Sequence, residues 1–266
     1  MPVRVQTRSL LALLADLSHT AAKDPDAGAV GGILLHTGRG EIGDEPGRTD
    51  LLAGASTDRF VAGHTYTACA GQLSGAPTLW ALRDVKSVIA VFKAPAKADE
   101  MHAVDITRDG PLITIAEDPN LFDDGLKLSF AQMPVEDYPA AGVYRNLDRE
   151  TADRVENQGG RLVESLPRTD FAPSKLDAFA KVAARRGCPL QLYRTHQAEA
   201  ILVQIGGTYR GVMTPSRYEP DGDERRPDAE VHVPDLDALE TQQKPAQPEP
   251  PAASGRPGLF LVEDES

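Results

Sequence analysis

The chain has 266 residues, 41% of them apolar and 5% aromatic, and carries 28 Lys+Arg against 40 Asp+Glu for a net charge of -12. That length suits one large domain or two small ones with a real core. The charge excludes a nonspecific DNA coat, because neutralising phosphates needs basic surface. No run of about 20 apolar residues exists to span a bilayer. The N-terminal apolar patch is interrupted by Asp16 and Lys23, and no small-residue cleavage site follows, so no secretory signal is indicated. Two cysteines, Cys69 and Cys188, are too few for a disulfide framework or a Cys-only zinc site. The simplest expectation is a cytoplasmic protein.

Leu10, Leu13, Leu14 and Leu17 recur at i, i+3, i+4 and i+7, which predicts an amphipathic helix over 8–23. Short β-like runs follow at Gly32–Thr37, Leu51–Ser56 and Phe60–Cys69. Leu79–Ala94 reads as a second helix with Leu82, Val85, Ile89 and Phe92 on one face, stopped by Pro95. Strands are predicted at Ala103–Arg108, Leu112–Glu117 and Leu126–Gln132, the first two joined by Asp109-Gly110 as a hairpin turn. Residues 146–170 read as a polar connector with one strand at Arg161–Leu166. A third helix spans Ser174–Arg186, with Pro173 before it and Gly187 after it. Strands at Pro189–Thr195, Glu199–Ile205 and Thr208–Met213 complete the body, with Gly206-Gly207 turning between the last two. A helix followed by three strands thus occurs twice, a weak repeat of element order. Hairpin-linked strands of this kind indicate antiparallel α+β architecture.

The charge is uneven. Residues 219–266 hold 13 acidic and 4 basic residues, leaving the first 218 residues at -3. This Pro-rich acidic tail is expected to be mostly disordered, since it cannot bury enough apolar surface to offset its ordering entropy. Its terminal island, Leu259, Phe260, Leu261 and Val262, is read equally well as chance hydrophobics or as a short docking peptide.

The sequence contains no P-loop, no G-x-G-x-x-G after a strand, no H-E-x-x-H and no G-x-S-x-G. The six histidines are scattered, with no i, i+4 pair to chelate a metal. Cys69 and His64, five residues apart on a strand-like run, would point to opposite faces and make a poor nucleophile and base. No cofactor or metal is expected, and an enzyme ranks below a binding protein. The helices, in contrast, carry a signal. Arg8, Lys23, Arg83, Lys86, Lys93, Lys175, Lys181, Arg185 and Arg186 oppose only Asp16, Asp84 and Asp177. At ~3.6 residues per turn, Arg83, Lys86 and Lys93 share an arc of about 80°. One basic helix is an ordinary solvated face. Three in an acidic chain suggest a shared surface for a polyanion, contacting phosphates without reading sequence.

Four segments then carry a resemblance. Leu51–Phe60 ends in Ser56-Thr57-Asp58-Arg59-Phe60, similar to an "ATDRF" turn. Leu79–Ala94 looks like a clamp helix. Phe130–Pro139 resembles a "G-x-FPDY" strand exit, with Glu136 at the Pro position. Val212–Tyr218 resembles a "VMPMRL" ending, with Thr214 added between Met213 and Pro215. In this order they resemble the bacterial DNA polymerase III β sliding clamp family and its phage relatives. The resemblance implies an α+β DNA clamp fold, antiparallel sheets with helices on the inner face. It further implies one full clamp domain over 1–147 and an abbreviated last domain over 148–218, with the tail at 219–266. Residues 148–170 would stand in for a degenerate half-domain.

By the same resemblance the protein is a processivity factor, holding a replicative polymerase on double-stranded DNA as a homo-oligomeric ring, and the excess of Arg over Lys with abundant Ala suggests a GC-rich, phage-encoded source. Partner peptides, from the polymerase and a clamp loader, would enter a pocket of Thr57, Arg59, Phe60, Val212, Met213 and Pro215. The tail motif Leu259, Phe260 and Leu261 has anchors of the same kind. The alternative is a clamp-like module that captures or blocks replication proteins without encircling DNA.

Overall fold

A computed structural model describes residues 2–24, 26–40, 48–73, 77–119, 125–136, 138, 172–194 and 201–214. The chain divides into two units, Met1–Tyr218 and Glu219–Ser266, and the second lies outside the described residues. So do Pro215, the tail motif and the expected strand at Arg161–Leu166. Every described element belongs to the first unit.

In chain order the elements are β1 (Val3–Gln6), α1 (Thr7–Leu17), β2 (Gly32–Gly40), β3 (Thr49–Thr57), β4 (Val61–Ala68), β5 (Thr78–Ala81) and α2 (Leu82–Ala98). There follow β6 (Ala103–Asp109), β7 (Leu112–Glu117), β8 (Lys127–Ala131), α3 (Pro173–Arg186), β9 (Leu190–Arg194), β10 (Ile201–Ile205) and β11 (Tyr209–Met213). Each helix leads into a three-strand antiparallel meander, so the repeat occurs three times rather than the two the element order suggested.

The meanders build two sheets. One has the order β1-β6-β7-β8 and the other β5-β2-β3-β4-β11-β10-β9. The leading strands cross over: β1 precedes α1 yet pairs with β6, and β5 precedes α2 yet pairs with β2. The seven-stranded sheet runs unbroken through both halves because β11 pairs with β4, Val212 opposite Ala62 and Met213 opposite Val61.

Burial follows from alternation. Val3, Val5, Val104, Ile106, Ile113 and Ile115 point from the first sheet into a core completed by Leu10, Leu14, Val85, Val88 and Phe92 of α1 and α2. From the second sheet, Ile33, Leu35, Leu52 and Trp80 enter the same core. Phe179 and Val182 of α3 pack with Val61, Val203, Tyr209 and Met213 into a second core. The register puts Gly54, Gly63 and Gly211 on one face of the large sheet, and a Cβ on them would strike Leu17, Tyr209 and Phe179 respectively. α1 and α3 therefore lie side by side on one face, and α2 flanks α1 through the shared core.

Three boundaries differ from the sequence reading. The first helix ends at Leu17, not near residue 23. Ser18 Oγ donates to the Leu14 carbonyl at 2.7 Å, and Thr20 is drawn off to Ser56 Oγ at 2.6 Å, so local side chains satisfy the last turn. Thr78–Ala81 is a strand, because Trp80 and Leu79 are buried across the pairing with β2. Pro95 lies inside α2 instead of ending it. The turn beyond it is held from outside: Ala96 is buried, and its carbonyl accepts Arg8 Nε at 2.9 Å.

Candidate nucleic-acid and peptide interfaces

The helix-borne cations fall into two groups. Arg83, Lys86 and Lys93 stand exposed along α2. Lys23 is exposed in the segment after α1, not on the helix where periodicity put it. It lines a cleft of about 430 Å³ together with Arg83, Lys86, Gly28, Gly31 and Met133. Lys23 also acts electrostatically on His19 and Asp177, as does Lys181, so the charge continues from α2 across the end of α1 to α3. Lys181 pairs with Asp177 at i, i+4 and stays half-exposed. Burial holds the His19 imidazole below its ordinary value, Asp16 opposes that shift, and Lys181, Lys23 and Arg185 reinforce it. The arrangement is a run of exposed cations on α2, in the segment after α1 and on α3, with Asp24, Asp84 and Asp177 set among them.

The remaining cations are held by partners. Arg8 bonds the Ala96 carbonyl and reaches Glu100 at 2.6 Å. Lys175 is ion-paired with Asp58. Arg185 and Arg186 both turn onto Asp16, which is 0% exposed: Arg185 Nε donates to Oδ1 at 2.6 Å and Arg186 Nε to Oδ2 at 2.9 Å. Arg186 also donates to Thr208 Oγ1 and Thr65 Oγ1, each at 2.8 Å, and lies 5.3 Å from the Tyr209 ring. Arg186 is therefore a tie between α3, α1 and β4 before it is anything else. The sequence reading set Asp16 among the three acids of the basic helices and gave it no partner. Its one signal was an acidic residue within the apolar stretch Leu10–Leu17.

The second locus is the β3–β4 turn. Asp58 Oδ1 accepts the N–H groups of Phe60 and Val61 at 2.9 and 2.8 Å. Thr57 Oγ1 donates to the Val61 carbonyl at 2.8 Å and accepts the Arg59 N–H at 3.0 Å. These bonds over-determine the turn and hold Arg59 at φ +80, a left-handed conformation that a non-glycine residue adopts only when its surroundings enforce it. Phe60 is 59% exposed, with Lys175 Nζ 4.8 Å above its ring. The Thr214 N–H donates to the Phe60 carbonyl at 2.9 Å, so β11 ends against this turn.

The structure thus brings Thr57, Arg59 and Phe60 beside Val212 and Met213, about 150 positions away in sequence. Val212, Ala62 and Thr57 occupy the face opposite the helices. Met213 does not: it is fully buried in the second core, and its side chain is not open to a ligand. Cys69 has its thiol pushed up to about 11 by burial, and its Sγ faces the Gly71 carbonyl, which suits packing and not nucleophilic attack. Among the described residues no group of His, Cys, Asp and Glu could hold a metal ion, and no helix is long and apolar enough to cross a membrane.

The described residues form antiparallel sheets carrying helices on one face. Comparison with solved structures finds the same fold. The chain is similar to the DNA polymerase III β subunit from Thermotoga maritima, with TM-score 0.55, 13% identity, and coverage of 82% of this chain and 66% of that one. It is similar to the Caulobacter crescentus β sliding clamp, at 0.54 and 12% identity, with 82% and 66% covered. The Streptococcus pneumoniae DNA polymerase III β chain matches at 0.56 and 10% identity, with 82% and 65% covered. The fold is that of the β sliding clamps, and the chain spans about two-thirds of their length. No protein-family model and no curated protein matches the sequence.

Proposed function

We propose that the protein is a non-catalytic sliding clamp, phage-encoded and acting in the cytoplasm of the infected cell, that tethers a replicative DNA polymerase to duplex DNA as a homo-oligomeric ring. The observation that carries this reading is the run of exposed cations. In a chain of net charge -12, the exposed cations Lys23, Arg83, Lys86 and Lys181 gather on α2, α3 and the segment that follows α1, on the sliding-clamp fold. Contacts of that kind hold phosphates without fixing a sequence, which sliding requires. The gain is effective concentration rather than chemistry. Lys93 lies further along α2, whereas Arg8 and Lys175 are taken up by Glu100 and Asp58, and Arg185 and Arg186 tie α3 to Asp16.

The polymerase and a clamp loader would dock short peptides at the β3–β4 turn on Arg59 and Phe60, with Val212 on the adjoining strand, while buried Thr57 holds the turn. The exposed Phe60 ring offers an apolar anchor there, beside two cations. A second reading, a clamp-like module that captures replication proteins without encircling DNA, is favoured by one fact: Arg8, Lys175, Arg185 and Arg186 are spent on carboxylates of the chain itself rather than left for phosphates. Gel filtration with nicked circular plasmid separates the two. A clamp co-elutes with the circle and is released when a restriction enzyme linearises it. Glutamate at Arg83, Lys86 and Lys181 should weaken binding to a short linear duplex and flatten its salt dependence, and unchanged binding would reduce these residues to a solvated face. Equal retention on circles and linear DNA would reject the ring in favour of the second reading.

A further inference from the structure

Among the described residues the large exposed apolar side chains are Phe60, Met101, Leu112, Leu126 and Leu192. Phe60 is the one aromatic ring of that set. Lys175 covers one side of it, and Val212 lies half-buried on the strand that ends beside it. Its neighbour Arg59 is exposed. Asp58, the acid next in sequence, does not serve Arg59: its oxygens are taken up by Lys175 and by the N–H groups of Phe60 and Val61. An apolar anchor beside a guanidinium asks for a ligand with apolar side chains and carboxylates close together.

The chain itself carries such a segment. Residues 259–262 are Leu, Phe, Leu and Val, followed at once by Glu263, Asp264 and Glu265. The earlier island of Val231, Val233, Leu236 and Leu239 is split by Pro234, Asp235 and Asp237 and offers no such block. Geometry favours return of the later one. The Thr214 N–H is bonded to the Phe60 carbonyl, so the chain beyond Thr214 sets out from this turn. From Thr214 to Leu259 is 45 residues. At up to about 3.3–3.6 Å each they outreach a domain, so length does not bar the way back. A segment tethered like this binds as an intramolecular ligand, at an effective concentration that falls gradually with linker length.

We infer that residues 259–265 dock on the β3–β4 turn of their own chain, the apolar part on Phe60 and Val212 and the acidic part against Arg59. They occupy the place of a partner peptide until a tighter one displaces them. The inference rests on the reading of that turn as a peptide-docking site.

The test uses the full chain and a fluorescent synthetic peptide of residues 256–266. The parent should bind it weakly, because its own segment fills the turn. Leu259→Ala with Phe260→Ala in the full chain should bind it about tenfold or more tightly, since a site about nine-tenths occupied loses tenfold in apparent affinity. Leu236→Ala with Leu239→Ala should keep the parent's value. Adding Arg59→Gln and Phe60→Ser to the Leu259/Phe260 variant should remove the gain. The melting temperature should not change, because both side chains are exposed. Equal affinity of the parent and the Leu259/Phe260 variant, still lost on Phe60→Ser, would keep the turn as a docking site and overturn the self-contact. No peptide binding by any variant, or binding indifferent to Arg59 and Phe60, would overturn both. Light scattering should give the parent and the Leu259/Phe260 variant the same mass. A heavier parent would seat the segment on a second copy and overturn a contact within one chain.

Discussion

Asp16 is the residue on which the helix layer turns. Its carboxylate is out of solvent, and it meets two guanidinium groups, one from each of two consecutive residues of α3. Burying charge is costly unless it is paired and hydrogen-bonded, and here both oxygens are matched while Arg186 finds two further hydroxyl acceptors. Removing one member leaves the rest buried and uncompensated. Asp16→Asn should therefore destabilise the protein by about 3–5 kcal/mol, seen as a lowered urea midpoint at constant slope. Arg186→Met should lower it more than Arg185→Met, since their side chains are 17% and 33% exposed. A midpoint for Asp16→Asn equal to that of the parent protein would remove Asp16 from this role. The sequence hid this contact for a physical reason. Asp16 and Arg186 are 170 positions apart, so only the approach of α1 to α3 reveals that two apparent surface cations face inward.

At the scale of elements, local pattern was a good guide wherever side-chain period alone decides. The apolar face of α2 and the alternation in β6, β7, β10 and β11 were legible because each residue's environment repeats along its own element. The failures occurred where a distant group intervened: Arg8 holding the turn after Pro95, Ser56 drawing Thr20 from α1, and Ile106 pairing with Val3 to make a strand of four residues. The basic helices were likewise legible by composition, whereas Thr57, Arg59 and Val212 became a candidate site through resemblance rather than through any local signal. Close approach of α3 to its sheet was not legible at all. It depends on Gly211, where a Cβ would lie 2.5 Å from Phe179 Cε1 and 3.1 Å from the Ala62 carbonyl. Neither the aromatic ring nor the strand can yield freely, because both are fully packed. Gly211→Ala should cost about 1–3 kcal/mol by overpacking. Gly38→Ala, with nothing within 4 Å, is the strand control and should stay near zero. Thermal melts of the pair decide it: equal midpoints would mean that α3 moves away from the sheet without loss.

For the molecule as a whole, the arrangement of charge matters more than its sum. Removing residues 219–266, which carry 13 acidic and 4 basic residues, takes the net charge from -12 to -3. Among the exposed cations that remain, Lys23, Arg83, Lys86 and Lys181 lie near one another while Arg4, Arg39, Arg59 and Lys127 stand elsewhere, so what is left repels DNA weakly in general and can attract it locally. On the proposed clamp reading a general repulsion would be useful, since free copies would then avoid duplex they do not encircle. Repulsion of this origin acts over a Debye length, about 10 Å at 0.1 M salt and about 3 Å at 1 M. A chain truncated after Tyr218 should thus bind a short linear duplex several-fold more tightly than the full chain near 0.05 M salt. The two should converge as salt rises, because screening removes the tail's contribution before it removes close phosphate contacts. Their retention on circular plasmid should not differ, since topology and not affinity governs it. Titration of both forms against a labelled linear duplex across a salt series supplies the measurement. Parallel binding curves at every salt concentration would show that the acidic segment has no electrostatic part in DNA avoidance, and would leave it only a role in protein contacts.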